Sequence, residues 1–263
     1  MAREKDDAME RTPLTGSSSS SVNGEIVAEI VTRRWWAACG VHVFALVALL
    51  LGIASVDINT SWSIGAPEFF NWHPVLMTLA FVVFAPQAAL AFQYGRGSRR
   101  TRKNLHVALQ TASLVASSIG LWAVFHFHNE NGIPNLYSLH SWIGLVFYLL
   151  YLCQYVSAFS AFFWPGLDKM VRMRLLPPHA KFGLFAVCAL APIAMLTGII
   201  EMLGFRALKK SQGIATCDAV PMPFACKAGN TMGICVVIVA TCTYVAVTSK
   251  HKSERTLIAK TSN

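Results

Sequence analysis

Charged residues are scarce in this chain. Asp, Glu, Lys and Arg make up 13% of its 263 residues, whereas 54% of the residues are hydrophobic. An ordinary water-soluble domain carries about 25% charged residues. The long apolar runs also lack the polar face that a helix on the surface of a soluble protein needs. The composition therefore indicates a membrane protein.

Apolar runs long enough to cross a bilayer occur six times. They lie approximately at residues 35–56, 71–94, 105–126, 139–163, 179–202 and 229–248. Two of them contain Gly120 or Pro192, which membrane helices tolerate. We therefore predict an all-α, six-transmembrane-helix bundle. The transmembrane domain would span residues 33–250, between a disordered cytosolic tail at residues 1–32 and a second cytosolic tail at residues 251–263.

Lys and Arg are missing from two predicted loops, residues 57–70 and 127–138. The loop after the second run, by contrast, holds five of them: Arg96, Arg99, Arg100, Arg102 and Lys103. Because basic residues collect on the cytosolic side of membrane proteins, this asymmetry predicts that both termini are cytosolic. The formal net charge of +9 then reflects topology, and no nucleic-acid partner is expected. We also expect no secretory signal peptide.

The loop between the fifth and sixth runs does not follow this rule. It would be external, yet it contains Arg206, Lys209, Lys210 and Lys227. Two of the seven cysteines, Cys217 and Cys226, lie in the same loop, where an oxidising compartment would permit a disulfide. The other five cysteines lie within the apolar runs, where packing is their usual role.

Four histidines stand near the ends of the central runs: His73, His106, His140 and His179. The second and fourth runs cross the bilayer inward, whereas the third and fifth cross it outward. A helix rises about 1.5 Å per residue, so His73 and His106 differ in depth by most of a bilayer. His73 can therefore meet only His140, and His106 only His179.

Two histidines from facing helices are the axial ligands that a six-coordinate b-type haem needs. A zinc site would require more ligands at each depth. We therefore predict two haems held between helices two to five, one near each membrane face. Because both axial positions of each iron would be filled, electron transfer is favoured over oxygen binding.

Basic residues cluster beside the inner histidines: Arg99, Arg100, Arg102, Lys103, Arg172, Arg174 and Lys181. They could neutralise haem propionates or hold a small anionic reductant, although individual side chains could simply snorkel to the interface. On the outer side, His128 could bind a substrate or relay a proton. His126 and His42 are more simply explained as packing residues.

Several segments resemble the cytochrome b561 family of transmembrane ascorbate-dependent oxidoreductases. The similar segments are Phe70–Pro74, Arg99–His106, Phe127–Trp142 with its Ser-Leu-His-Ser-Trp motif, and Asn230–Gly233. The resemblance covers about residues 33–250. One departure is Gln93, which stands where the family pattern suggests an arginine.

This resemblance implies two haems b, with His73 and His140 on the outer iron and His106 and His179 on the inner one. It implies cytosolic ascorbate as the donor, bound near Arg100 and Lys103, and monodehydroascorbate or a ferric chelate as the acceptor. His128 and its neighbour Asn129 would border the acceptor site. A homodimer is expected, in the plasma membrane or in an endolysosomal, vacuolar or secretory-vesicle membrane.

Two other functions compete with this interpretation. The chain could be a six-span solute transporter that uses histidines as proton relays, but relay histidines should stand at staggered depths along one path. It could also be a haem-bearing subunit that passes electrons only to a protein partner. The basic cluster, which is large enough for a substrate, argues weakly against that role.

Overall fold

The structure is a computed structural model that describes residues 17–55, 67–94, 97–208 and 216–261. Within these residues, six helical segments are long and apolar enough to cross a membrane. They are Val27–Ala54, Phe69–Tyr94, Arg99–Glu130, Leu139–Phe162, Lys169–Gly204 and Phe224–Ser249. The predicted all-α, six-span architecture is therefore confirmed, and these segments are called spans one to six.

The spans are built from eight α-helices. They are α1 (Ser17–Ser55), α2 (Trp72–Thr78), α3 (Ala85–Tyr94), α4 (Arg99–Glu130), α5 (Leu139–Phe162), α6 (Lys169–Phe185), α7 (Ala191–Leu208) and α8 (Phe224–Thr261). A short 3-10 helix, Pro67–Asn71, precedes α2.

Spans two and five each contain a π-helical turn, at Leu79–Phe84 and Ala186–Leu190. Each turn stands just before a proline, Pro86 or Pro192. A proline inside a helix lacks an N–H donor, and its ring clashes with the carbonyl four residues earlier. The widened turn accommodates that clash, so α2 continues into α3 and α6 into α7 without a loop.

Two helices begin earlier than the hydropathy predicts. Helix α1 starts at Ser17, so residues 17–32 are helical where we expected a disordered tail; residues 1–16 lie outside the described part of the chain. Helix α6 starts at Lys169, ten residues before the predicted span, and contains Pro177 and Pro178. Its first turns are exposed, so water can bind the carbonyls that the two prolines leave without a helical donor.

Serine side chains cap α4 and α5, two of the helices that carry predicted ligands. The Ser98 hydroxyl accepts from the Thr101 N–H at 3.2 Å at the start of α4. The Ser138 hydroxyl accepts from the Ser141 N–H at 3.1 Å at the start of α5. Such caps satisfy backbone donors that have no partner within the helix.

Two apolar clusters hold the bundle together. The first joins α1 to α8 and to spans two and five, and it is centred on Val41, Val82 and Val239. The second lies among spans two to five and includes Phe81 and Phe147. Spans two to five therefore enclose a common interior, while α1 and α8 pack together at its side.

The loop before span six contains the disulfide that its cysteine pair suggested. Cys217 and Cys226 are bonded, and their Cα atoms are 5.6 Å apart. Cys226 is fully buried, so the bridge ties the loop to the start of α8. The side chain of Arg206 and residues 209–215, with Lys209 and Lys210, lie outside the described part of the chain.

Candidate functional site

The first pair of histidines meets between α2 and α5. The ring centres of His73 and His140 are 6.1 Å apart, and the rings are inclined by 78°. Nδ1 of His73 lies 3.0 Å from the backbone oxygen of Gly120, and Nδ1 of His140 lies 3.1 Å from that of Ala194. We call His73 and His140 the outer pair, following the orientation predicted from the loop charges.

The second pair meets between α4 and α6 and is called the inner pair. The ring centres of His106 and His179 are 6.3 Å apart, with an interplanar angle of 80°. Nδ1 of His106 lies 2.8 Å from the backbone oxygen of Ala88. Nδ1 of His179 instead contacts the side-chain amide of Gln154 at 2.7 Å, and this amide also donates to the backbone oxygen of His179.

The structure thus brings together the same pairs that the helix directions predict. Both separations suit two imidazoles that bind one metal atom. A metal–imidazole bond is about 2 Å long, and each ring centre lies about 1 Å behind its nitrogen, so the centres should be about 6 Å apart. A histidine ligand usually donates its second N–H to a carbonyl or carboxylate, as the backbone contacts of three of these rings allow. The residues therefore fit a haem iron at each pair.

A cavity of about 160 Å³ surrounds the outer pair. Glycines make room for the His140 ring within it. A Cβ added at Gly198 would lie 2.8 Å from Cε1 of His140, whereas one added at Gly144 would lie 4.0 Å away. The remaining walls are mainly aromatic and aliphatic, as expected for a cofactor site.

Three aromatic side chains lie between the two pairs. Phe81 contacts Phe147 and Tyr151, with ring centres 4.7 and 5.3 Å apart. The Tyr151 hydroxyl donates to the side-chain oxygen of Gln110 in α4. Phe81 is about midway along span two between His73 and the inner end. We call these three rings the aromatic layer; it fills the core that separates the pairs.

Six residues of the basic cluster, all except Arg102, are predicted to bind ascorbate, and they lie at the inner ends of α4 and α6. Arg99, Arg100, Arg174 and Lys181 are exposed, whereas Lys103 and Arg172 are half-buried. The ammonium group of Lys103 lies 5.5 Å from the centre of the Phe163 ring, after α5. None of these six side chains forms an ion pair with another residue that the structure describes. Their charges therefore remain available to an anion.

Arg34 and Arg102 each carry a buried Nε atom that has no hydrogen-bond partner among the residues that the structure describes. Arg102 reaches the backbone oxygen of Phe92 at 3.5 Å, and the Phe92 ring lies 5.4 Å from the ring of His106. Arg34, from α1, lies 3.4 Å from the side-chain oxygen of Gln93. The guanidinium of Arg34 thus lies beside Gln93, the position at which the family pattern suggests an arginine. It comes from α1, however, and not from α3.

The two residues proposed for the outer substrate are placed differently. His128 lines the outer cavity, and its ring lies 5.9 Å from that of Tyr137. Asn129 is exposed and accepts a hydrogen bond from Asn135 at 2.9 Å. His128 can therefore touch a bound molecule directly, whereas Asn129 supports the loop that borders the cavity.

His42 and His126, which we predicted to be packing residues, both contact neighbouring protein groups. His42 contacts the backbone oxygen of Ala38 in its own helix at 2.6 Å. His126 lies between the rings of Phe69 and Trp122, with ring centres 5.4 and 5.5 Å away.

Glu201 lies among the polar groups of the outer cavity, and it was not among the residues predicted from the sequence. Its carboxylate accepts from the Tyr137 hydroxyl at 3.0 Å and from the Ser138 hydroxyl at 2.8 Å. The signal was present, because an ionisable residue at the end of an apolar span is costly and usually functional. Gln154, a polar residue inside an apolar span, carries a similar signal.

Comparison with known proteins gives consistent matches. The family model for eukaryotic cytochrome b561 matches residues 72–206. The transmembrane ascorbate ferrireductase 2 of Arabidopsis thaliana is 35% identical over 171 residues, or 65% of this chain and 71% of the relative. The lysosomal membrane ascorbate-dependent ferrireductase of Danio rerio is 34% identical over 211 residues, or 75% of this chain and 84% of the relative.

A third relative is named for electron transport rather than for iron. The probable ascorbate-specific transmembrane electron transporter 2 of Oryza sativa is 36% identical over 174 residues, which cover 62% of this chain and 73% of the relative. All four histidines of the outer and inner pairs lie within the residues that the family model matches.

Proposed function

The chain belongs to the eukaryotic cytochrome b561 family, and on this premise we propose that it is a transmembrane ascorbate-dependent oxidoreductase. It would take electrons from ascorbate on the cytosolic side and deliver them to monodehydroascorbate or a ferric chelate on the other side. The single observation that carries this proposal is the pair of matched histidine sites at opposite ends of one bundle interior.

Each pair would hold one haem b, which supplies an iron that accepts and releases a single electron. His73 and His140 would bind the outer iron, and His106 and His179 the inner one. The backbone oxygens beside Nδ1 of His73, His106 and His140 allow each of these rings to donate there and to present Nε2 to a metal. The side-chain amide of Gln154 positions the ring of His179. The apolar surroundings exclude water, and the aromatic layer keeps the interior between the pairs closely packed.

The basic residues at the inner ends of α4 and α6 would bind the donor. Ascorbate is an anion at neutral pH, and its oxidation to monodehydroascorbate releases one electron and one proton. Arg99, Arg100 and Lys103 precede His106 by three to seven residues, which is within two turns of α4. Arg172, Arg174 and Lys181 would approach from α6. The exposed members of this set would attract the anion, and the proton would leave to the cytosolic water.

The acceptor would enter through the mouth of the outer cavity. His128 lines this cavity, and Asn129 supports its border through Asn135. A ferric chelate needs one electron and no proton, whereas monodehydroascorbate takes one of each. We further propose that residues 33–250 form the functional domain, that both termini are cytosolic and that the protein is a homodimer in the plasma membrane or in an endolysosomal, vacuolar or secretory-vesicle membrane.

An absorption spectrum of the purified protein, recorded before and after ascorbate is added, tests this proposal. We expect the bands of a b-type haem, with two haems per chain, and their reduction by ascorbate. A protein without a haem band would contradict the cofactor assignment. A haem band that stays oxidised would contradict the donor.

A further inference from the structure

The outer cavity is bordered by a carboxylate that is held in place by the loop between α4 and α5. Both oxygens of Glu201 are engaged, one by the Tyr137 hydroxyl at 3.0 Å and the other by the Ser138 hydroxyl at 2.8 Å. Ser138 also caps α5. The carboxylate is thus fixed relative to the helix that carries His140.

The same loop directs its polar groups to the cavity. Leu136 adopts a left-handed conformation with φ of 57°, a conformation that a leucine rarely adopts. This turn places Asn135 and Tyr137 with Glu201 on the cavity wall, next to His128. Desolvation by burial and the hydrogen bond to Glu201 raise the pKa of Tyr137 to about 12. The phenol therefore stays protonated and donates to the carboxylate over the working pH range.

A fixed negative charge at the entrance of a cavity acts differently on positive and negative molecules. At a separation of about 6 Å and the dielectric constant of water, one charge changes the local concentration of a monovalent ion about threefold. The effect grows with the charge of the incoming molecule and falls with added salt.

We propose that Glu201 sets the charge preference of the outer site, so that it reduces metal complexes of positive or low negative charge in preference to polyanions. This inference rests on the proposed function, because it concerns the acceptor of that reaction. In the reaction the metal centre of the acceptor gains one electron from the reduced protein, and no proton is transferred. Glu201 thereby becomes a specificity-determining residue of the outer site.

The test compares two one-electron oxidants of opposite charge, hexaammineruthenium(III) and ferricyanide. The protein in detergent is reduced with dithionite, so the result does not depend on ascorbate as donor, and its reoxidation is followed by stopped flow at low salt. Glu201→Gln should slow the reaction with the cation and accelerate the reaction with the anion. We expect the ratio of the two rates to change about tenfold or more for these trivalent ions, and less at high salt.

Glu130→Gln is the matched control, because Glu130 is an exposed carboxylate at the outer end of α4. It removes the same charge from the same end of the molecule and should leave the rate ratio nearly unchanged. A binding measurement gives a second readout. Calorimetric titration of the oxidised protein with hexaamminecobalt(III) should show weaker binding to Glu201→Gln than to Glu130→Gln.

Leu136→Lys gives an independent variant if Glu201→Gln loses its haem. Leu136 also lines the cavity, and a cation there would oppose the carboxylate without removing its hydrogen bonds. The rate ratio should shift in the same direction as for Glu201→Gln. The inference is overturned if the variants alter both oxidants equally, or if Glu130→Gln has the same effect as Glu201→Gln. A protein that contains no haem would instead contradict the proposed function itself.

Discussion

Gly198→Ala should damage the outer pair selectively. A Cβ at this position would lie 2.8 Å from Cε1 of His140 and 3.2 Å from each ring nitrogen. Two carbon atoms in good contact are about 3.5–4.0 Å apart, so the new methyl group would be about 0.7 Å too close at least. The ring would have to tilt away from α7, which would break the contact between its Nδ1 and the backbone oxygen of Ala194.

The sign of the stability change also tests this steric argument. Alanine is a better helix former than glycine by about 1 kcal/mol, so propensity alone would stabilise α7. Overpacking a core costs about 1–3 kcal/mol, so we expect a net loss of stability on the order of 1 kcal/mol.

The assay is a redox titration followed by absorption, with haem content measured per chain. We expect Gly198→Ala to lose the outer haem or shift its potential, while the inner haem keeps its bands. Gly144→Ala is the matched control, because its Cβ would lie 4.0 Å from the same atom of His140. Unchanged outer-haem properties in Gly198→Ala, or equal changes in both variants, would refute the reasoning.

Three further predictions concern the proposed route of the electron. His106→Ala and His140→Ala should each lose about half of the haem, measured as the pyridine haemochrome; complete loss from a folded variant would indicate one shared site. Gln154→Leu should shift the potential of the inner haem alone in a redox titration, because His179 loses the side-chain amide that positions its ring, and an equal shift of both haems would contradict this. Phe147→Leu should slow electron transfer between the haems after flash reduction and leave both potentials unchanged, because a smaller side chain loosens the packing between the pairs. An unaltered rate would show that the packing of the aromatic layer does not limit electron transfer.

Much of the fold follows from local patterns in the sequence. Six apolar runs of bilayer length predict six spans, and the alternation of their directions predicts which histidines can meet. His73 and His140 are 67 residues apart in the sequence. Their depth in the bilayer was enough to pair them, because the alternating directions of the spans place only these two of the four histidines at the outer side. The number of spans, their directions and the depths of the histidines follow from helix geometry and not from the details of side-chain packing.

The helix boundaries were harder to predict, because hydropathy detects the bilayer and not the helix. The first turns of α6 carry Lys169, Arg172 and Arg174. They are helical but polar, so the apolar run begins only at His179. The π-helical turns were not predicted for a related reason. Pro86 indicates that the helix is distorted, but the local form of the distortion depends on how the whole helix packs.

The long-range contacts of the outer site could not be predicted from the sequence. Glu201 and Tyr137 are 64 residues apart, and their contact depends on how α7 packs against the loop before α5. The closeness of Gly198 to His140 has the same origin. A carboxylate at the end of a span and a glycine within it were visible signals, but only the packed structure shows which groups they serve.

The central claim is that electrons cross the membrane through two sites held by the outer and inner pairs. Proteoliposomes that contain trapped ascorbate, with membrane-impermeant hexaammineruthenium(III) outside, test it most directly. We predict that the external oxidant is reduced only when ascorbate is trapped, and that His106→Ala and His140→Ala each abolish the reaction. Reduction at the normal rate without trapped ascorbate, or in either histidine variant, would contradict the claim.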